Sequence, residues 1–356
     1  MQILVLNLGS TSFKYELFDF DNLLSLQKGN FEIEQNEIDN VQIKINKIFR
    51  KILRKIGEIN NIKIIGHRVV YGGDKYTDIL KINKSSLLEL EKLNSLAPLH
   101  NPINLAGIKS ALEYLPEAKN FAIFDTALYK NLPEHIKIYP IPYKYYQNGI
   151  KKFGFHGISH KYAMEETAKK LNKKLNPSAW LRASKINLIS VHLGGGSSIT
   201  AFKNGQVVDT SMGFTPMQGL MMQTRSGDID PGIIFELIKR EESAEEIKDI
   251  LNKQSGIKGI SGFENYLDLL EAVKKKNKMA VLAFTMYISR IQKYIGAYLA
   301  ILDKVDAIVF TGKIGAGKIE THKAIMKSKL FKKIKTIIIE PCEELAIARE
   351  IKENFI

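Results

Sequence analysis

An apolar strand that ends in a Leu-Gly turn and runs on into small hydroxyl residues occurs twice in this chain. The first copy is Leu6-Asn7-Leu8-Gly9-Ser10-Thr11-Ser12, and the second is Val191-His192-Leu193-Gly194-Gly195-Gly196-Ser197. Such a turn lets backbone N–H groups approach phosphate oxygens with no Cβ in the way. Two of them, one in each half, predict two related domains facing one polyphosphate. On this feature alone a pair of ordinary hairpin turns stands as the plainer alternative. With 356 residues, 45% of them hydrophobic, the chain has material for two packed cores.

Short apolar runs alternate with amphipathic ones. Ile3–Asn7, Phe13–Phe18, Ile64–Val70, Phe121–Asp125, Ile186–Leu193, Ala307–Thr311 and Thr336–Ile339 read as strands. Leu87–Leu96, Ile103–Leu115, His160–Leu171, Phe263–Val273, Val281–Leu302 and Glu343–Glu353 read as helices. The pattern is α/β. No low-complexity linker divides it, and the expected hinge lies just past Asp125.

Composition excludes several classes. The single cysteine, Cys342, rules out an internal disulfide and fits a reducing compartment. The opening MQILVLNLGS reads as a strand and not as a signal peptide. The apolar stretch Met279–Ser289 is too short to span a bilayer. The expectation is therefore a cytoplasmic protein without a membrane partner. A formal charge of +14 can attract nucleic acid, but the lysines are spread along the chain as solvated faces. No aromatic-and-basic RNA motif or zinc-finger spacing accompanies them, so no nucleic-acid partner is expected.

Five segments are too polar and too specific for packing. They are Gly66-His67-Arg68-Val69-Val70-Tyr71-Gly72-Gly73, Ala97-Pro98-Leu99-His100-Asn101-Pro102, Phe153-Gly154-Phe155-His156-Gly157-Ile158-Ser159-His160, the run from Asp209 to Pro216, and the run from Gly219 to Gly232. The last sets Arg225 among Gly, Ser and Asp, where its planar fork suits phosphate or carboxylate. Together with the opening Asn7, Gly9, Ser10, Ser12 and Lys14, and with Phe124-Asp125-Thr126-Ala127, these segments resemble the acetate kinase family. That family lies within the superfamily of sugar kinases, Hsp70-type chaperones and actin. The resemblance runs in order from Met1 to about Leu345 and implies two actin-like (ribonuclease H-like) α/β domains with the active site in the cleft between them. The first would hold residues 1–126 plus the returning helix 343–356, and the second residues 127–342.

A carboxylate acceptor is already ionised at neutral pH and needs no general base. The difficulty is bringing it to a polyanion and stabilising the charge on the phosphoryl group in transit, which calls for cations, fixed donors and magnesium. Arg68, Arg225 and His156 are the residues expected around that group. The resemblance implies that the two arginines hold carboxylate and phosphoryl group, that His156 donates to the transition state with support from His100, and that Asp125 is the catalytic carboxylate. Read singly, each His is more often a structural hydrogen bonder, and Asp125 has a buried salt bridge as its alternative.

The resemblance also implies a metal, magnesium or manganese, held by Asn7 and Glu343, with Glu344 the neighbour most easily confused with Glu343. It implies ATP or ADP held by Ser10, Ser12 and Lys14, by His192, Gly194, Gly195 and Gly196, and by Gly312, Lys313, Ile314 and Gly315. Arg68 with Val70, Leu99, Phe155 and Pro216 would bind a small carboxylate, acetate and also propionate, since a pocket separates homologues by only about 1–3 kcal/mol per methylene. A homodimer is implied, with the apolar helix near Val281–Leu302 a candidate interface.

The donor side departs from the family pattern. Gly195 stands where an Asn is usual, Gln223 where a Gly is, and Tyr71 where a His is. Ile260-Ser261-Gly262 leads to Phe263-Glu264-Asn265 with no Arg nearby, and the later glycine turn reads Gly312-Lys313-Ile314-Gly315-Ala316-Gly317. ATP held through backbone, stacking, Lys313 or Lys318 is the main expectation. A pyrophosphate donor, as in some relatives, and a weak nucleotide- or acyl-phosphate-binding homologue are the alternatives. Gly312–Lys318 also fits a P-loop spacing, but Ile319 replaces the magnesium-binding Ser or Thr, so it is read as a decoy.

Overall fold

The computed structural model describes residues 1–9, 12–33, 41–94, 97, 100–172 and 185–355, and these divide into two compact units. Of the expected site residues, Ser10 and Leu99 lie outside the described residues. The first unit takes Met1–Lys130, Phe155–Tyr162 and Cys342–Ile356; the second takes Asn131–Gly154 and Ala163–Pro341.

The first unit begins with β1 (Gln2–Leu8), β2 (Ser12–Asp19), β3 (Ser25–Glu32), α1 (Val41–Ile56) and β4 (Ile62–Val69). It continues with β5 (Leu80–Lys81), α2 (Lys84–Glu91), α3 (Asn101–Tyr114) and β6 (Lys119–Phe124). Its sheet has the order β3-β2-β1-β4-β6-β5, with β1, β4 and β6 parallel and β2, β3 and β5 antiparallel to their neighbours. The period-2 alternation of β1 sends Leu4, Leu6 and Leu8 to one face. There they pack with Ile45, Phe49 and Ile52 of α1 and with Ala106 and Ala111 of α3. The spacing of Ile45, Phe49 and Ile52 is one stripe of a 3.6-residue helix.

The second unit contains α4 (Glu134–Lys137), α5 (Lys144–Gln147) and most of α6 (Gly157–Lys170), then β7 (Leu188–Leu193), β8 (Ser197–Lys203) and β9 (Gln206–Thr210). Helices α7 (Gly232–Lys239), α8 (Ala244–Lys253), α9 (Gly256–Ser261), α10 (Tyr266–Lys274) and α11 (Lys278–Leu302) follow. The unit closes with β10 (Ala307–Thr311), α12 (Gly312–Gly317), α13 (Ile319–Ile325) and β11 (Thr336–Ile338). Its core gathers Ile189, Val191 and Leu193 of β7 with Tyr287, Ile291 and Ile295 of α11. The chain then returns to the first unit as α14 (Glu343–Phe355), whose Ile347, Ala348 and Ile351 cover the second face of the first sheet against Ile3, Val5 and Ile64.

The second sheet has the order β11-β10-β7-β8-β9. Read as β9-β8-β7-β10-β11 it repeats the first unit's β3-β2-β1-β4-β6, an antiparallel meander followed by two parallel strands. The two Leu-Gly turns of the sequence are the β1–β2 and β7–β8 connections. They are hairpin turns, and they occupy equivalent places in two similarly built sheets.

Most expected elements are present with shifted ends, because side-chain caps set the helix starts. Asn83 caps α2 through the Ser86 N–H, Asn265 caps α10, and Asn277 caps α11. The P-loop-like stretch is not a P-loop: α12 starts at Gly312 itself and Lys318 ends it, whereas a phosphate loop precedes its helix.

Candidate active site

The same alternation that sends Leu6 and Leu8 to one face of the first sheet sends Asn7 to the other, the α14 face. β1 pairs with β4 in parallel, Leu6 opposite His67, so Arg68 follows beside Asn7. β6 runs parallel on the far side of β4, and Asp125 is the residue just past its end. Three polar side chains thus leave the C-terminal ends of three adjacent parallel strands.

They bond directly. Arg68 Nη2 lies 2.7 Å from Asp125 Oδ2, and its Nε also donates to Asp125. Arg68 Nη1 donates to Glu343 Oε2 at 2.9 Å and to Asn7 Oδ1 at 3.2 Å. With its amide in this orientation, Asn7 Nδ2 donates to Glu343 at 2.9 Å and to Glu344 at 2.8 Å. Both glutamates stand in the first turn of α14, where the helix dipole favours negative charge. Asp125 is fully buried, and burial raises its pKa against the opposing pull of Arg68. Burial also opposes the charge of Arg68, but Asp125 and then Glu343 outweigh it and hold the guanidinium firmly protonated.

Asp125 is anchored on its backbone as well. Its N–H donates to Val69 O, and its carbonyl accepts from Gly157 N, both at 3.0 Å. His156, just before Gly157, adopts φ +59°, a left-handed conformation that is strained for a non-glycine residue. Phe155 is buried and stacks on Tyr71 with ring centroids 6.3 Å apart, and Val70 is buried in the same unit. Lys14 on β2 faces Asn7 in register, Gly9 N donates to Ser12 O across the turn, and His100 stands at the N-cap of α3.

In the second unit Arg225 sits in the loop between Gly219 and Gly232. Its Nη1 donates to the Pro216 carbonyl at 3.1 Å, and burial pulls its pKa down to about 10. The loop is tied from several sides. Met222 N donates to Arg225 O, Ile257 N to Met222 O, and Gln223 N to Gly195 O. Asp228 accepts from Gly219 N at 2.9 Å and from the Tyr294 hydroxyl of α11 at 2.5 Å, while Arg290 donates to the Asp228 carbonyl. His192 pairs with Ser198 across the β7–β8 ladder, and Gly194 N donates to Gly196 O in the turn beyond it. Gly312 holds φ +81°, and a Cβ there would meet Leu193 O at 2.4 Å, so only glycine lets α12 start against the end of β7. Gly315 packs on Leu193 and Val191, Ile314 is buried, and Lys313 is exposed.

Asn7, Arg68, Asp125 and Glu343 are therefore brought together, as are Arg225 with Pro216, and His192 and Gly194–Gly196 with Gly312–Gly315. Glu344, read from the sequence only as a neighbour of Glu343, bonds to Asn7 just as Glu343 does. Asn7, Glu343 and Glu344 offer amide and carboxylate oxygens, the hard donors magnesium prefers. Among the described residues no group of three or more His, Cys, Asp or Glu side chains forms a metal cage. Sequence reasoning passed over Asp228, although it lies within a quoted motif, and also Asn104 of α3.

The model of the acetokinase family matches residues 2–341. An acetate kinase of Bacillus subtilis is 37% identical over 396 residues, covering 98% of each chain. A propionate kinase structure from Francisella tularensis superposes with a TM-score of 0.86 at 34% identity, covering 98% of each chain. An acetate kinase structure from Porphyromonas gingivalis superposes with a TM-score of 0.83 at 32% identity, again over 98% of each chain.

Proposed function

The chain belongs to the acetokinase family, and from that premise we propose that it transfers the γ-phosphoryl group of ATP to acetate, reversibly, giving acetyl phosphate and ADP. One acetate oxygen forms the new P–O bond while the bond to the ADP oxygen breaks, and no proton need be removed from the acceptor at neutral pH. The observation that carries the proposal is the bonded set Asn7, Arg68, Asp125, Glu343 and Glu344 at the ends of β1, β4 and β6.

Arg68 is the proposed carboxylate receptor, and Asp125 holds its guanidinium in one orientation. Arg225 is the proposed partner of the phosphoryl oxygens: its pKa of about 10 leaves it cationic at neutral pH in a desolvated setting. His156 is the proposed donor to the transferring group, with His100 in support. Val70, Phe155 and Pro216, with Leu99, are the proposed contacts of the acyl chain, and propionate is expected to react as well. Asn7, Glu343 and Glu344 would hold magnesium, which when bound neutralises phosphate charge. Ser10, Ser12, Lys14, His192 and the glycine turns at 194–196 and 312–315 are the proposed nucleotide side.

α7 carries exposed Ile233, Phe235 and Ile238, and α11 begins with exposed Met279, Val281 and Leu282, which supports a homodimer. Sedimentation at two concentrations tests it. Among the described residues no helix is long and apolar enough to cross a membrane. A nucleotide donor fits the cytoplasm.

The function is tested by trapping acyl phosphate with hydroxylamine from acetate and magnesium, with ATP and pyrophosphate in parallel. Product with ATP supports the proposal. Product with pyrophosphate alone changes the donor, and no product with either from folded protein overturns it.

A further inference from the structure

Two asparagines on the first turns of α3 are fully buried, Asn101 at 0% and Asn104 at 1% exposure, and the side-chain amide of each bonds to backbone. Both spend their amides on distant backbone. Asn104 Oδ1 accepts from Val70 N at 3.1 Å, and its Nδ2 donates to Leu8 O at 2.8 Å. Asn101 Oδ1 accepts from Tyr71 N at 3.1 Å, and its Nδ2 donates to Tyr71 O at 3.0 Å.

Those backbone groups are not random. Leu8 ends β1, one residue after Asn7 and immediately before the Gly9–Ser12 turn. Val70 and Tyr71 continue β4 directly beyond Arg68. One amide therefore joins the segment of the proposed metal and phosphate contacts to the segment of the proposed carboxylate contacts. The approach is close: a Cβ on Gly107, one turn along α3, would meet Leu8 Cδ2 at 2.9 Å. A glycine there lets the helix lie near enough for the Asn104 amide to reach the strand ends.

We propose that Asn104 is a positioning residue that sets the spacing between the phosphate-side turn after β1 and the carboxylate-side segment after β4, with Asn101 fixing the second segment alone. This rests on the function proposed above. The competing account is that both amides merely satisfy backbone groups beyond the sheet ladder. The two accounts differ in kinetics. A misplacement near 1 Å lowers turnover on the order of a hundredfold, whereas a structural defect lowers only the folded fraction.

The test uses full-length wild type, Asn104→Asp, Asn104→Ser and Asn101→Ser, with Ile52→Val as a destabilised control remote from the site. Asn104→Asp keeps the acceptor for Val70 N and sets two oxygens face to face at Leu8 O. Asn104→Ser is too short to span both partners. Assays run in sucrose, which favours the folded state, with the folded fraction read by circular dichroism. Wild type must first yield acyl phosphate; its failure concerns the function and not Asn104. The expected result is a loss of about 10- to 100-fold in kcat/KM per folded molecule for both carboxylate and nucleotide at Asn104. Asn101→Ser is expected to raise the carboxylate KM alone, and Ile52→Val to lower Tm without changing either KM. Wild-type kcat/KM in folded Asn104 variants, or a loss no different from that of Ile52→Val, overturns the proposal.

Discussion

Arg68 Nη1 lies 2.9 Å from Glu343 Oε2, so the guanidinium proposed to receive the carboxylate is already engaged by a glutamate proposed to hold the metal. Asn7, Glu343 and Glu344 would hold magnesium when it is bound, and Arg68 has Asp125 as its other carboxylate partner. Glu343→Gln keeps the shape and removes the charge. The expected outcome is a rise of about tenfold or more in the magnesium concentration for half-maximal activity, the scale of losing one oxygen ligand's charge, with a carboxylate KM that does not rise. Magnesium titrations at several acetate concentrations check this, and an unchanged magnesium requirement would contradict it.

Arg225 stands in a different balance. Its Nη1 donates to the Pro216 carbonyl at 3.1 Å, and burial lowers its pKa to about 10. A cation whose folded pKa lies below its unfolded value weakens folding while both states are protonated, and the penalty fades only above about pH 10. Arg225→Ala is expected to leave the protein folded while lowering kcat by about a hundredfold or more, as loss of a transition-state partner does. Calorimetry and steady-state kinetics on one preparation check both halves. Wild-type-like turnover in folded Arg225→Ala would remove the residue from the site.

Much of this was legible in sequence because it follows from period and punctuation. The repeated Leu-Gly turn, whose plainer alternative was a pair of ordinary hairpins, falls at the hairpin of each of two similarly built sheets, and alternation along β1 explains why Asn7, unlike Leu6 and Leu8, meets Glu343. Other parts were illegible for physical reasons. β3, SLQKGNFE, is an edge strand with exposed and half-buried positions and a central Gly29, so it lacks the continuous apolar run of β1. α1 hides its stripe of Ile45, Phe49 and Ile52 among lysines and arginines. Asn104 bonds to groups 34 and 96 residues away, and no local pattern encodes a bond of that separation. The pairing of Arg68 with both Asp125 and Glu343 likewise needed the parallel register and the return of α14.

His67, next to Arg68 but on the opposite face of β4, predicts an acid sensitivity separate from catalysis. It is buried, its Nε2 lies 2.7 Å from Asn120 Oδ1, and burial lowers its pKa to about 4. The unfolded value is near 6.5, so its neutral form stabilises the fold fully above about pH 6.5, and that contribution is lost as pH falls through about 4. Between pH 7 and pH 5 the expected loss from this group is about 2 kcal/mol. Urea unfolding of wild type and His67→Gln at both pH values checks it. The variant should be less stable at pH 7 and lose less on acidification; parallel losses would exclude His67 as the source.

Gly195 offers a test in the opposite direction, a gain of function. It stands in the β7–β8 turn where the resembled family carries an Asn, and a Cβ there meets nothing within 4 Å. Its φ does not lie in the left-handed range, so a side chain can be added without backbone strain. Gly195→Asn should therefore fold with unchanged Tm. The restored amide adds one donor and one acceptor beside the proposed phosphate turn, and a single net hydrogen bond contributes about 0.5–1.5 kcal/mol. The expected outcome is a nucleotide KM lowered by about two- to tenfold with the acetate KM unchanged. Initial rates at varied ATP and fixed acetate, then the reverse, separate the two. A fall in acetate KM instead would assign the turn to the acceptor. No change in either would mean that donor binding in this chain relies on the turn's backbone and not on a side chain at position 195.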